Sequence, residues 1–452
     1  MAQMAQTPDF RVAVTNKQIL SIALPISASI LVPQLNFITN NIFLGGLGQQ
    51  ELGVAGITGV YYLIFAVIGN GLNNGLQTLI ARRAGENRID AIGSLFAQGV
   101  RIALAVSVFG ILFTWFLAPT ILRWALNDQQ NVDMAVSFLR IRIFGLPFLY
   151  LYQLRNALLV GTNNTKLLVV GTATEAVTNV FFDYTLIYGK WGLPELGFNG
   201  AALASIIAEF AGLIVIFWVI RSKGVSGQLQ LFSNFRWHAD NTRKILTISA
   251  PLVMQHAISI ITWEFFYILV EHHGNRDLAI SNTMRNIFGF FGCFTWAFAA
   301  TTTTMVSNVI GQGLEEKVPE LLRRIIYWSM GFAVVVCVLL NIVPGLFLSI
   351  YGQGDDFIQA AIPVLRVVSL ALVIMSFSVV WMNAVTGSGH SKMTLLAEVI
   401  AIVLYSIYVY TTLEHLNLSI TWGWVSEWVY WLSIFVPCYW FMRSGKWKHN
   451  QI

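Results

Sequence analysis

The stretches "LVGTNNTK" (residues 159–166) and "VTGSGHSK" (385–392) each close a long apolar run with small polar residues and end on a lysine. Half of the 452-residue chain separates them. At the same shift Pro25 aligns with Pro251, Gly48 with Gly274, Gly85 with Gly311, Gly161 with Gly387, Lys166 with Lys392 and Gly197 with Gly423. Four glycine coincidences exceed the one or two that chance supplies. Each pair falls at the same point of the same numbered apolar run, at helix starts and turns where Gly and Pro have backbone roles. The chain therefore reads as two copies of one unit.

Composition says what the copies are made of. Asp, Glu, Lys and Arg together make up 11% of the residues and the hydrophobic types 56%. A soluble domain needs a charged, hydrated shell of roughly 25%. Apolar runs long enough for a helix across a hydrocarbon core about 30 Å thick recur along the whole length. They number about twelve: 17–44, 53–81, 94–122, 133–162, 166–189, 197–221, 244–270, 278–311, 322–350, 361–388, 392–413 and 421–443. Ten-residue alternation of a β-barrel is absent. The expected fold is an all-α polytopic membrane protein of twelve transmembrane helices.

Charge gives the orientation. Arg82, Arg83, Arg88, Lys166, Arg221, Lys223, Lys317, Arg323, Arg324, Lys392, Arg443 and Lys446 fall on one side, with Arg11 and Lys17 before the first run; the other side holds clearly only Arg123, Lys190 and Arg276. The positive-inside rule places both termini in the cytoplasm. The net charge of +5 is this bias, and no nucleic-acid partner follows from it. Six crossings per copy give both copies the same orientation, a parallel repeat. The lobes are then 1–221 and 244–452, joined by the polar, basic, cytoplasmic linker 222–243. "MAQMAQTPDFRVAV" at residues 1–14 lacks the apolar centre of a removable signal peptide. Cys293, Cys337 and Cys438 have no metal-like spacing, and the Asn163 sequon lies on a cytoplasmic turn. Two parallel bundles of this kind leave a cleft near the midplane, where secondary transporters keep their substrates.

The run "ALPISASILVPQLNFITNNIFLGGLG" (23–48), the turn "LVGTNNTK" and the stretch "NVFFDYTLIYGKWGLPELGFNGAALAS" (179–205), taken with the doubled halves, resemble the MATE (multidrug and toxic compound extrusion) transporters. The resemblance covers essentially all twelve runs. It implies a cation-coupled exporter of organic, often cationic or amphipathic compounds that alternates access between two six-helix lobes. It also implies roles for Asn179 and Asp183, which keep the family's Asn-x-x-x-Asp pattern of the fifth helix. One departure stands out: Asn40 replaces the aspartate the family often has before its "TIFVG"-like residues, so no ion-binding carboxylate carries over there.

Read as residues, Glu175, Asn179 and Asp183 are spaced by four and form one stripe. An acid at depth costs at least roughly 2.5–3.5 kcal/mol, so it faces protein or water and usually has a task. Asp183 is either a hydrogen-bonded packing residue or a carboxyl that exchanges a proton or ion, with Asn179 and Asn40 beside it at similar depth. Expected at the substrate cavity are Gln34, Asn36, Asn156, Trp263, Glu264, His256 and Arg285. Arg155 and Glu175 are expected to form an ion pair, and Glu264 is expected either to pair with Arg285 or to meet a substrate cation among aromatic rings. His256 is more readily a core histidine than a shuttle. Glu209, Glu398 and Glu427 are further candidates.

No His-Glu-x-x-His helix, Gly-x-Ser-x-Gly elbow or Gly-Lys-Ser/Thr phosphate loop is present, so no enzyme activity is expected. The expected function is proton- or sodium-coupled antiport of small organic molecules across the cytoplasmic (inner) membrane. The protein is expected to act as a monomer in contact with membrane lipid, without cofactor or metal beyond H+ or Na+ at Asp183 and Asn179. A lipid-linked saccharide flippase of related fold is the nearest alternative, and a membrane-embedded enzyme the more distant one.

Overall fold

The computed structural model describes residues 9–126, 128–231 and 236–448. Residues 232–235 of the linker and the two chain ends assigned to the lobes, 1–8 and 449–452, lie outside the described residues. Twelve long helices make up almost all of the rest. In the first half they are α1 (Asn16–Gly45), α2 (Gln49–Gly85), α3 (Ile89–Ala125), α4 (Gln129–Gly161, with one 3-10 turn at Ile143–Gly145), α5 (Lys166–Tyr188) and α6 (Phe198–Ser222). In the second half they are α7 (Ala239–Glu271), α8 (Asn275–Gly311), α9 (Val318–Ile342), α10 (Asp355–Gly387), α11 (Ser391–His415, ending in a π-helical turn) and α12 (Ser426–Arg443).

No strand occurs among the described residues. By length and composition alone, nine helices among the described residues are suited to crossing a membrane. The three outside that group, α5, α8 and α12, are diluted by polar residues: Glu175, Asn179 and Asp183 on α5, the Thr301–Thr304 run on α8, and Ser426 and Glu427 on α12.

The repeat is written in the backbone. After α4, Asn163 takes a left-handed φ of 60° and the Asn164 N–H donates to the Leu159 carbonyl at 2.7 Å. After α10, Gly389 takes φ 91° and the His390 N–H donates to the Val385 carbonyl at 3.2 Å. These are the same closing bond at the same shift, a helix stop that needs a left-handed residue, usually Gly and sometimes Asn. The ends of α2 and α8 match as well: Asn87 (φ 57°) with Arg88 N–H to Arg83 O, and Gly313 (φ 72°) with Leu314 N–H to Val309 O.

The described chain divides into two compact units, one built on Ala28–Ser249 with the described part of Met1–Phe10, the other on Ala250–Ile452 with Arg11–Ser27. The boundary passes through α1 and α7. In the first unit α5 and α6 pack along their lengths and α2 lies against α3 and the second half of α4. In the second unit α10 is the central rod, flanked by α8, α9 and α12. Its most apolar stretch is 61% buried, against at most 39% in any other candidate span, because almost every turn of it presents Val, Leu, Met or Ala to a neighbour.

Candidate functional site

Four polar side chains from α1 and α5 meet near the C-terminal ends of those helices in the first unit. Asn36 Nδ2 donates to Asn179 Oδ1 at 2.8 Å. The Asn40 amide, in the orientation its neighbours require, donates to Asp183 Oδ2 and, at 3.0 Å, to Asn179 Oδ1. Asp183 is fully buried and Asn179 nearly so. Four-residue spacing puts each pair on one helix face, and the Tyr188 hydroxyl, donating to the Phe43 carbonyl at 2.6 Å, ties the C-terminal ends of α1 and α5 together. Three atoms of the cluster are buried without a partner among the described residues: Asp183 Oδ1, Asn36 Oδ1 and Asn179 Nδ2. Buried polar groups are normally satisfied, which makes this set the candidate site of the first unit.

The donor set suits a proton on the single carboxylate, or a hard monovalent cation, which takes oxygen ligands of the carboxylate and amide kind. No group of three or more His, Cys, Asp or Glu side chains comes together among the described residues. Gln34, expected nearby, is exposed on α1.

Deeper in the same unit lies a second polar cluster, and here an expectation fails. Arg155 and Glu175 do not form an ion pair. Arg155 is fully buried, stacks over the Tyr152 ring at 3.7 Å and donates from Nε to the Tyr152 carbonyl at 3.3 Å. Its Nη1 and Nη2 are buried without a partner among the described residues, as are Glu175 Oε2 and Asn156 Oδ1. The reason is local: the face of Tyr152, one turn back on the same helix, holds the guanidinium. The ion pair that does form joins Arg142 of α4 to Glu209 of α6, with Nη2 to Oε1 at 2.5 Å and Nη1 to Oε2 at 3.0 Å. The Arg142 guanidinium also lies over the Tyr62 ring at 4.0 Å. Sequence reading missed Arg142 because "RIRIFG" (140–145) reads as a helix end with basic residues, and nothing local marks which arginine turns inward.

In the second unit Glu264 is exposed, and Arg285 lies over the Tyr267 ring at 5.2 Å. No ion pair joins Glu264 to Arg285 among the described residues: Tyr267, three residues beyond Glu264 on α7, supplies the face the arginine uses. Trp263 packs edge-on against Tyr267 with its Nε1 buried and without a partner among the described residues, and His256 is half-buried on α7. The best-built polar site of this unit is Glu398 on α11. Its Oε1 accepts from Ser259 Oγ and, at 2.5 Å, from the Tyr430 hydroxyl; its Oε2 accepts from Gln255 Nε2 at 3.3 Å. The four-residue spacing of Gln255 and Ser259 on α7 was the available signal for that site.

The MatE family model matches residues 25–185 and again 251–411, two copies displaced by the shift that the turns show. A probable multidrug resistance protein NorM of Thermotoga maritima is 21% identical over 98% of this chain and 96% of its own length. Another, from Synechocystis sp., is 28% identical over 43% of this chain and spans 42% of that protein. Among solved structures, a MATE protein in complex with MaL6 superposes with a TM-score of 0.90 at 17% identity, covering 99% of this chain and 100% of the other. An outward-facing multidrug resistance MATE family transporter of the MOP superfamily superposes with a TM-score of 0.88 at 16% identity over the full length of both.

Proposed function

The chain belongs to the MatE family, and we propose that it is a multidrug efflux antiporter: a proton- or sodium-coupled exporter of small organic, cationic or amphipathic compounds across the cytoplasmic membrane. It works as a monomer with both termini in the cytoplasm, its lobes are 1–221 and 244–452, and the linker is 222–243. The observation that carries the coupling step is Asp183, fully buried, held by the Asn40 amide on one oxygen and without a partner on the other among the described residues.

The ionised form of Asp183 accepts from Asn40, and the cost of a bare charge at this depth favours capture of a proton or cation when the site meets the outer solution. Capture on Oδ1 neutralises the acid. A proton there turns an acceptor into a donor and asks for an acceptor of the kind Asn36 Oδ1 offers, so the hydrogen bonds between α1 and α5 are redistributed and the outer half of the unit repacks. Release to the cytoplasm restores the starting state. Substrate contact is assigned to Gln34, Asn36 and Asn156 in the first unit and to Trp263, Glu264, His256 and Arg285 in the second. Glu264, free of Arg285, is the carboxylate that remains for a substrate cation among aromatic rings.

Dye transport in proteoliposomes under separately imposed pH and sodium gradients tests the reading, since the gradient that drives flux names the ion. Asp183→Asn is expected to keep the fold and substrate binding and to abolish gradient-driven flux, while Asp183→Glu retains part of it. Wild-type flux with unchanged ion dependence in Asp183→Asn makes the acid a packing residue.

A further inference from the structure

Two arginines and two glutamates meet in the interior of the first unit, and only one pair of them is joined. Arg142 is committed to Glu209 through both terminal nitrogens. Among the described residues Arg155 is held by the Tyr152 ring and carbonyl alone, although it is fully buried and carries a permanent charge. Glu175 is half-buried, accepts from the Tyr152 hydroxyl and lies within electrostatic reach of Arg155, Arg142 and Glu209, the charged and titratable groups that face it from α4 and α6, with Tyr62 of α2 behind Arg142. Its Oε2 nevertheless has no hydrogen-bond partner among the described residues.

An ionised glutamate with a free guanidinium in reach takes it, because leaving either charge buried and unpaired costs about 3–5 kcal/mol. A protonated one has no such demand. The open pair is the arrangement that a neutral Glu175 permits. Backbone shape leaves room for both arrangements, since Gly171 faces the Arg155 Nη1 and Gly212 faces Glu175 and Tyr152, where a larger residue would crowd the side chains. An anionic ligand is not what the cluster invites, because Glu175 and Glu209 stand beside the two arginines.

We propose that Glu175 is a second proton-binding site, and that Arg155 captures its conjugate base. On release the Oε2–H bond breaks, its electron pair stays on the carboxylate, and the proton passes to water. Arg155 turns from the Tyr152 face and donates to the new carboxylate, remaining protonated throughout. Glu175 is two steps of four residues from Asp183 on the same face of α5, about 12 Å inward at 1.5 Å per residue. The proposal rests on the exchanger reading above and adds one proton per cycle to it.

The test uses the full-length protein in lipid. Infrared difference spectra across a pH titration read the carboxylic C=O stretch of each buried acid, and flux assays read protons moved per substrate. Glu175→Gln is expected to delete one pH-sensitive carboxyl band and to lower the proton ratio by one. Arg155→Met is expected to move that band's titration to higher pH by about one unit or more, because the conjugate base loses its partner. In Asp183→Asn the Glu175 band is expected to persist, so failure at Asp183 and failure at Glu175 read separately. An unchanged set of bands and proton ratio in Glu175→Gln, or an unmoved band in Arg155→Met, overturns the proposal. If Glu175→Gln does not fold, labelling of wild-type Glu175 by a membrane-soluble carbodiimide, which needs the protonated acid, decides. Labelling that falls as pH rises supports the site, and no labelling at any pH refutes it.

Discussion

Removing the Glu209 carboxylate should be among the most damaging single changes available in the first unit. Both carboxylate oxygens are held by Arg142, at 2.5 and 3.0 Å, with Glu209 buried and Arg142 nearly so. Breaking such a pair from one side leaves an uncompensated charge and costs about 3–5 kcal/mol. Glu209→Gln, which still offers one acceptor, belongs at the lower end and Glu209→Ala at the upper. For a unit of this size each kcal/mol moves the midpoint by about 2–4 °C, so thermal unfolding followed by size-exclusion chromatography in one detergent should shift down by about 6–20 °C. Replacing both partners, Arg142→Met with Glu209→Leu, should recover most of the loss, since a buried pair adds little over apolar packing of the same volume. The double-mutant cycle reads the coupling directly. A Glu209→Gln protein as stable as wild type, or a double variant no better than either single one, refutes this account of the interior.

Two other outcomes are expected. In a cysteine-free background, Gln50→Cys and Gly354→Cys should react with an impermeant thiol reagent from outside and Ser226→Cys should not; the reverse pattern overturns the orientation. Gly389→Ala should lower thermal stability by about 1–2 kcal/mol, since a residue with a Cβ is held at a left-handed φ of 91°, while Asn163→Gly at the matching turn should cost nothing; equal losses at both turns would remove the common backbone role.

Legibility in the sequence follows the range of the force involved. The helices, their number and the repeat were readable because apolar runs and glycine stops act within one element. The α1–α5 cluster was readable for a related reason: four-residue spacing fixes which side chains share a face, and depth follows from distance to the helix end. Partner choice was not readable. Arg155 and Glu175 have matching depths yet stay apart because Tyr152, on the arginine's own helix, competes for it, and Arg285 behaves likewise on Tyr267. The Arg142–Glu209 pair depends on the packing of α4 against α6, which no local pattern encodes. Family resemblance supplied the roles of Asn179 and Asp183, which spacing alone left open.

The matched turns at Asn163 and Gly389 carry a consequence for inheritance. The two copies kept one scaffold while their chemistry drifted apart: Asn36, Asn40, Asn179 and Asp183 correspond to Thr262, Phe266, Tyr405 and Val409, and Glu398 corresponds to Thr172. A chain assembled from two first halves would hold its acid twice, at equivalent places, and one assembled from two second halves would not hold it at all. The present chain carries one half of each kind, so a substitution harmless in one copy predicts nothing about its counterpart in the other unless it falls on the shared turns.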